Sequence, residues 1–259
     1  MSLTTDSLYL LAGGLNIEGG LPALSLKKNK IWINVVTVLD RPLIDNITFD
    51  EIISNNKYPL LENYFDNINE HKIFATYITL INYYSHFNHD AKILVHIHQS
   101  KKHGQQIIKI LQMLMESKTQ HINFITDTDH FQETNVDYSD ADILLSFSQC
   151  AGLDPKYEQG DLLIPQKFYI FDTTNNEINT KYYMVENKLI KDLDYIVNSE
   201  FNQQACQTIN FKYNSYNENK NNTKLDNLSI ADFKEASILQ VSGLWNPTDP
   251  KQIIKLIEK

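Results

Sequence analysis

Apolar positions along this chain fall into short runs separated by polar turns. Runs rich in β-branched and aromatic residues, bounded by Gly, Pro, Asn or Asp, predict buried strands. They are SLYLLA (7–12), IWINVVTVL (31–39), AKILVHIHQS (91–100), HINFITD (121–127) and ADILLSFS (141–148). After Gly160, DLLIP and KFYIFD predict two more short strands, KYYMV another, and ASILQV (236–241) a last one. The polar KKNK (27–30) between LSL and IWINVVTVL predicts an N-terminal β-hairpin.

Helical spacing appears elsewhere. Thr48-Phe49-Asp50-Glu51 has the form of a capping box, so a helix is expected from Phe49, with Pro59 ending or restarting it. Leu60, Leu61, Phe65, Ile68, Ile73, Phe74, Tyr77, Leu80, Ile81 and Tyr84 continue at intervals of three and four, predicting one or two helices up to about His86. GQQIIKILQMLMES (104–117) predicts a helix between two strands. A further helix is expected over 186–204, an exposed Asn-rich loop over 213–227, and a terminal helix opened by Asp249-Pro250.

Strands alternating with a helix in the middle of the chain are the pattern of parallel β-α-β units. The expected fold is therefore a single α/β domain over 1–259, with a Rossmann-like, largely parallel central sheet flanked by helices and an N-terminal β-hairpin. In such sheets ligands bind beyond the carboxyl ends of the strands. That rule selects the segments 97–103, 126–131 and 147–154.

Charge and composition narrow the partners. The chain has 259 residues and a formal net charge of −9, without a cluster of cations. Nucleic acid is not expected as a partner, because a duplex-binding surface must displace counterions with clustered Lys and Arg. No apolar run approaches the roughly twenty residues of a membrane helix. The N-terminal MSLTTDSLYLLAGG has neither a basic leader nor a long apolar core. A cytoplasmic protein that does not engage membranes is expected. Cys150 and Cys206 are too few and too distant for a disulfide framework or a zinc site.

Chemistry is offered at the three selected segments. Asp127 and Asp129 each present a carboxylate able to accept two hydroxyl bonds, as a ribose or sugar requires, and either a carboxylate or His130 is the candidate general acid. Ser148, Gln149 and the small Gly152 follow the third strand, and Ser100 follows the first. The alternative is that Asp127, Thr128 and Asp129 cap a turn and that Ser148 and Gln149 satisfy backbone groups at a strand end. Gly13-Gly14 after the first strand is a candidate phosphate cradle. Arg41 is the one residue with a planar fork for phosphate, against 22 lysines. His96 and His98 alternate with Val95 and Ile97 and so share one strand face; they lack a third metal ligand in a known spacing. No metal site is expected, and no cofactor is indicated.

Residues 142–165 resemble a segment of the nucleoside phosphorylase and nucleosidase superfamily. A strand there leads to a small-residue corner, then Gly-Asp and an apolar strand ending in Pro. The matching positions are Ala151, Gly152, Gly160, Asp161, Leu163, Ile164 and Pro165. The family's Met-Glu pair for ribose is approached by Met184-Val185-Glu186, one residue out of step. The resemblance implies a nucleoside-type substrate, with Asp161 among the binding residues. Residues 92–148 are similar in spacing to the donor half of two-domain glycosyltransferases.

The reading is an enzyme of glycosyl transfer or cleavage acting on a nucleoside, nucleotide or sugar. Two others stand beside it: a non-catalytic α/β binding or interaction protein, and an S-adenosylmethionine-dependent methyltransferase-like enzyme. A small-molecule substrate is the expected partner; nothing in the sequence sets an oligomeric state.

Overall fold

The computed structural model describes residues 8–11, 31–38, 68–99, 101–115, 121–126, 138, 140–152, 157–172, 181–184, 188–217, 228, 230 and 233–242. The elements run β1 (Leu8–Leu11), β2 (Ile31–Val38), α1 (Ile68–Phe87), β3 (Ile93–Ile97), α2 (Lys101–Leu114), β4 (Ile122–Thr126), β5 (Ile143–Gly152), β6 (Leu162–Asp172), β7 (Lys181–Met184), α3 (Lys188–Val197), α4 (Glu200–Asn217) and β8 (Phe233–Ser242). The fold is α/β, with one mixed, mostly parallel sheet and four described helices.

At the centre of the sheet β2, β5, β3 and β4 lie side by side and all run in one direction. Ile31 pairs with Ile143, Ile93 with Ile143, and Ile93 with Ile122. β2, β3 and β5 are buried on both faces almost throughout, as interior parallel strands require, whereas β4, last in the strand order, is buried only at Ile122. The order is β1-β8-β6-β2-β5-β3-β4, with β7 added antiparallel to β6. β1 pairs parallel to β8 and also antiparallel to the far end of β5. The strands β1, β8, β6, β2 and β5 therefore return on themselves.

The two faces carry different chemistry. Ile33 and Val35 of β2, Ile93, Val95 and Ile97 of β3, and Ile143, Leu145 and Phe147 of β5 join one apolar cluster with residues of all four helices. Alternate positions, among them Trp32, Val36, Leu94, Leu144 and Cys150, belong to a second, smaller cluster with Tyr138 and Tyr157. The described helices thus pack on one face only.

Helix α1 is buried on most sides between residues 73 and 81. Its buried Thr76 and Thr79 hydroxyls donate to the carbonyls of Lys72 and Ala75 at 2.8 and 2.7 Å, so no apolar neighbour has to accommodate an unmet hydroxyl. The first turn of α2 lies against the end of β4. A Cβ on Gly104 would overlap the Thr126 side chain, so only glycine admits this approach.

Four expectations are corrected. DLLIP and KFYIFD are one strand, β6, with a bulge between Pro165 and Lys167. A bulge is where a strand tolerates the missing amide of proline. The helix expected over 186–204 is two, because the Ser199 hydroxyl accepts from the Asn202 amide at 3.4 Å and starts α4 afresh. α4 then reaches Asn217, into the stretch expected as loop, anchored on α1 by the buried Ala205, Cys206 and Ile209. The third central strand extends to Gly152, well past Ser148. The first arm of the N-terminal hairpin, the capping-box helix and the terminal helix lie outside the described residues. Of the hairpin, β2 is described, and its sheet neighbours are β5 and β6.

Candidate functional site

The segment expected to be a polar corner, Ser148 to Gly152, is strand. Ser148 and Gln149 pair with Val36 and Thr37 of β2 on one edge, and they are only 5% and 7% exposed. Turn-like composition yields here to pairing on a central strand.

The other edge of β5 is more informative. β3 accompanies β5 as far as the pair Ile97–Phe147, and the His98 amide donates to the Phe147 carbonyl at 2.8 Å. The Gln99 amide then turns back onto the Ile97 carbonyl at 2.9 Å, and β3 leaves the sheet. β1 takes up the same edge from the pair Leu11–Cys150 onward. Ser148 and Gln149 occupy the interval between the strand that departs and the strand that arrives. They mark a gap in the sheet edge rather than a bend in the chain.

On the face away from the helices, polar side chains cross the central strands in register. Asn34 of β2, Ser146 of β5 and His96 of β3 are direct neighbours, and Ser148 and His98 lie one step further along. All five are buried, between 2% and 5% exposed. The two imidazoles stack with centroids 3.7 Å apart. His98 Nε2 and Ser146 Oγ share a hydrogen bond of 2.7 Å, and His96 Nδ1 and the Tyr138 hydroxyl one of 2.8 Å. A serine hydroxyl held by an imidazole is oriented for proton exchange, and in a low-dielectric interior such a bond is stronger than in water.

On the helix side of the same end, Thr37 Oγ1 and the Tyr77 hydroxyl share a bond of 3.1 Å, and the Tyr77 ring stacks on Phe147 at 4.0 Å. Burial pushes the Tyr77 hydroxyl up to about 12, against the smaller opposing effect of the Thr37 bond. Gln149, beside Thr37, carries a buried amide nitrogen without a hydrogen-bond partner. His71, in the first turns of α1, is held down to about 4 by burial.

Asp161 is already engaged. Its Oδ2 accepts the Glu158 amide at 2.8 Å and ion-pairs with Lys234 Nζ at 2.6 Å, closing a turn in which Gly160 has a φ of 95°. The turn holds the end of β2: the Val38 amide donates to the Asp161 carbonyl and the Gly160 amide to the Val38 carbonyl, at 2.9 and 2.8 Å. Asp161 thus positions β2. Asp127, Asp129, His130, Ser100, Gly13, Gly14 and Arg41 lie outside the described residues. Among the described residues no group of three or more His, Cys, Asp or Glu side chains gathers to hold a metal, and no helix is long and apolar enough to cross a membrane.

Sequence reasoning found His96, His98, Ser148 and Gln149, but not Asn34, Ser146 or Tyr138. The signal for the first two was present: each interrupts an apolar strand at the parity that faces away from the helices. Comparison with protein-family models, curated proteins and solved structures gives no match.

Proposed function

We propose that this protein is an enzyme of glycosyl transfer or cleavage that acts on a nucleoside, nucleotide or sugar. The observation that carries the reading is the interval at Ser148 and Gln149, where β5 changes neighbours from β3 to β1. Ligands of α/β sheets bind beyond the carboxyl ends of the parallel strands, and this interval lies just past the carboxyl end of β3. The buried polar row beside it adds support. Polar groups in an interior cost free energy even when paired, and apolar side chains would fill a sheet face with less penalty. The parallel run β2-β5-β3-β4, with α2 between β3 and β4, supports a Rossmann-like relationship.

In this scheme Ser148, Gln149 and Gly152 orient the substrate, and the Gln149 amide donates to one of its oxygens. Departure of an aglycone needs a proton, and His98, paired to Ser146, supplies one as general acid. Asp127, Asp129 and His130, which follow β4 in the chain, and Ser100, which follows β3, complete the proposed pocket. Gly13, Gly14 and Arg41 are the proposed phosphate contacts of a nucleotide substrate.

The test is calorimetric titration of nucleosides, nucleotides and nucleotide sugars into wild type and the Ser148→Ala, Gln149→Leu and His98→Gln variants, with S-adenosylmethionine as a further probe. Binding of one class, weakened about tenfold or more by Ser148→Ala or Gln149→Leu, supports the proposal. No binding, or binding that ignores all three changes, overturns it. A non-catalytic binding protein is the second reading, favoured by the mutual pairing of His98 with Ser146 and of His96 with Tyr138. It is supported if a ligand binds and is recovered unchanged.

A further inference from the structure

A cleft of about 560 Å³ opens at the amino ends of β3 and β4, on the rim opposite to the one considered above. Its size falls within the range of small-molecule sites, roughly 300–1,000 Å³. The floor is apolar, formed by Ile93 and Leu94 at the start of β3 together with Ala91 and Ala141. The walls are polar and exposed. His89, Asp90 and Lys92 come from the connection between α1 and β3, His121 and Asn123 from the start of β4, and Asp140 from the segment before β5.

These walls are fixed by backbone bonds. The Lys92 amide donates to Asp142 Oδ2 at 2.9 Å, and the Asp142 and Ile143 amides donate to the Lys92 carbonyl at 2.9 and 3.2 Å. The Ala91 amide donates to the Asn88 carbonyl at 3.0 Å, and the Ala141 amide to the Tyr138 carbonyl at 3.2 Å. The Lys92 side and the side formed by 140–141, from the neighbouring strands β3 and β5, are thus tied directly to each other. A ligand entering between them spends little of its binding energy on ordering the protein.

The lining chemistry selects the ligand. Two carboxylates, Asp90 and Asp140, stand against the one ammonium of Lys92, so a phosphate or carboxylate ligand meets net repulsion. Each carboxylate can accept hydroxyl donors at both oxygens, while Asn123 and the two imidazoles both donate and accept. An apolar floor under such walls suits a molecule with hydroxyls at its rim and C–H groups on its face. We infer that this cleft binds an uncharged, hydroxyl-rich small molecule, a monosaccharide or the sugar of an unphosphorylated nucleoside. The site is separate from the one proposed for catalysis and does not depend on it.

The test is amide chemical-shift mapping of the isotope-labelled protein titrated with ribose, glucose and adenosine, and in parallel with ribose 5-phosphate and glucose 6-phosphate. The expected result is shifts at Lys92 to Leu94 and His121 to Asn123 with at least one neutral probe. The phosphorylated counterpart should bind about tenfold more weakly or worse. An Asp90→Asn/Asp140→Asn variant, changed at exposed positions only, should lose about tenfold in affinity for the neutral probe while keeping its spectrum elsewhere. Absence of shifts at these residues up to the solubility limit overturns the inference. So does tighter binding of the phosphate, or binding that ignores the double variant. Shifts confined to Phe147–Cys150 would report the other site and would also overturn this one.

Discussion

Replacing Ser146 by alanine tests whether the polar row is held together as the geometry implies. The substitution removes a hydroxyl from a position 2% exposed and leaves His98, 4% exposed, without the 2.7 Å bond at its Nε2. The bond itself is worth about 0.5–1.5 kcal/mol net, and a stranded buried acceptor or donor adds about 1–3 kcal/mol of unmet desolvation. No large cavity forms, because one oxygen atom is lost. Ser146→Ala is therefore expected to cost about 2 kcal/mol. Removing both partners relieves the stranding, so a Ser146→Ala/His98→Leu double variant should cost less than the sum of the single changes, by about 1 kcal/mol. Urea unfolding followed by tryptophan fluorescence is a suitable assay, since Trp32 lies in the same strand as Asn34 and is buried. The slope with urea should stay constant while the midpoint moves. A neutral or stabilising Ser146→Ala, or single changes that add to within about 0.3 kcal/mol, would refute the pairing.

Three further outcomes are expected. His71 is held down to about 4 from an unfolded value of 6.5, so the unfolded chain takes up a proton first as pH falls. The stability this provides is fully present above pH 6.5 and is lost toward pH 4, with a slope approaching 1.4 kcal/mol per pH unit. His71→Gln should flatten that part of a stability–pH curve, and an unchanged slope would contradict the burial. Burial pushes the Cys206 thiol up to about 11, against a smaller opposing effect of a backbone bond from Ile230, and Cys150 is fully buried. Neither should react with a thiol reagent at mildly alkaline pH until urea unfolds the chain; fast labelling of native protein would be inconsistent with both positions. Gly104→Ala gains about 1 kcal/mol of helix propensity but places a Cβ 2.7 Å from Thr126 Cβ, an overlap worth about 1–3 kcal/mol. Net destabilisation is expected in the same urea assay, and a more stable variant would show that α2 does not press on β4 there.

Much of the fold was legible because its signals are local. Ile93–Ile97, Ile122–Thr126 and Ile143–Phe147 are nearly unbroken apolar runs around the helical 104–114, which leaves little but a parallel unit. What was not legible depends on partners distant in sequence. Ser148 to Gly152 has the composition of a turn and is strand because β2 and then β1 lie against it, from more than a hundred residues away. Ser199 looks ordinary inside a helical pattern and becomes a break only through its bonds to Ile196 and Asn202. The site divides along the same line. His96 and His98 were visible as a pair by alternation within one strand, whereas joining them to Ser146 and Asn34 needs the registers of three strands. The amino-rim cleft has no motif at all, since its walls come from three separate segments.

The position of the polar row follows from what β5 is asked to do. Over its first half this strand is the interior of an open parallel sheet, between β2 and β3; over its last residues it closes a ring through β1 and β8. On the helix face the transition is filled by the buried Tyr77–Phe147 stack, whose one hydroxyl bonds with Thr37. On the other face the same stretch is lined by Ser146, Ser148 and His98. If packing alone governed this transition, both faces would be expected to carry apolar side chains, since each is equally enclosed. On the polar face the groups answer one another instead, His98 pairing with Ser146 and His96 with Tyr138. In the proposed function, a substrate seated where β3 departs would touch this polar face and, at Gln149, the end of the helix face, and would not reach the buried Phe147.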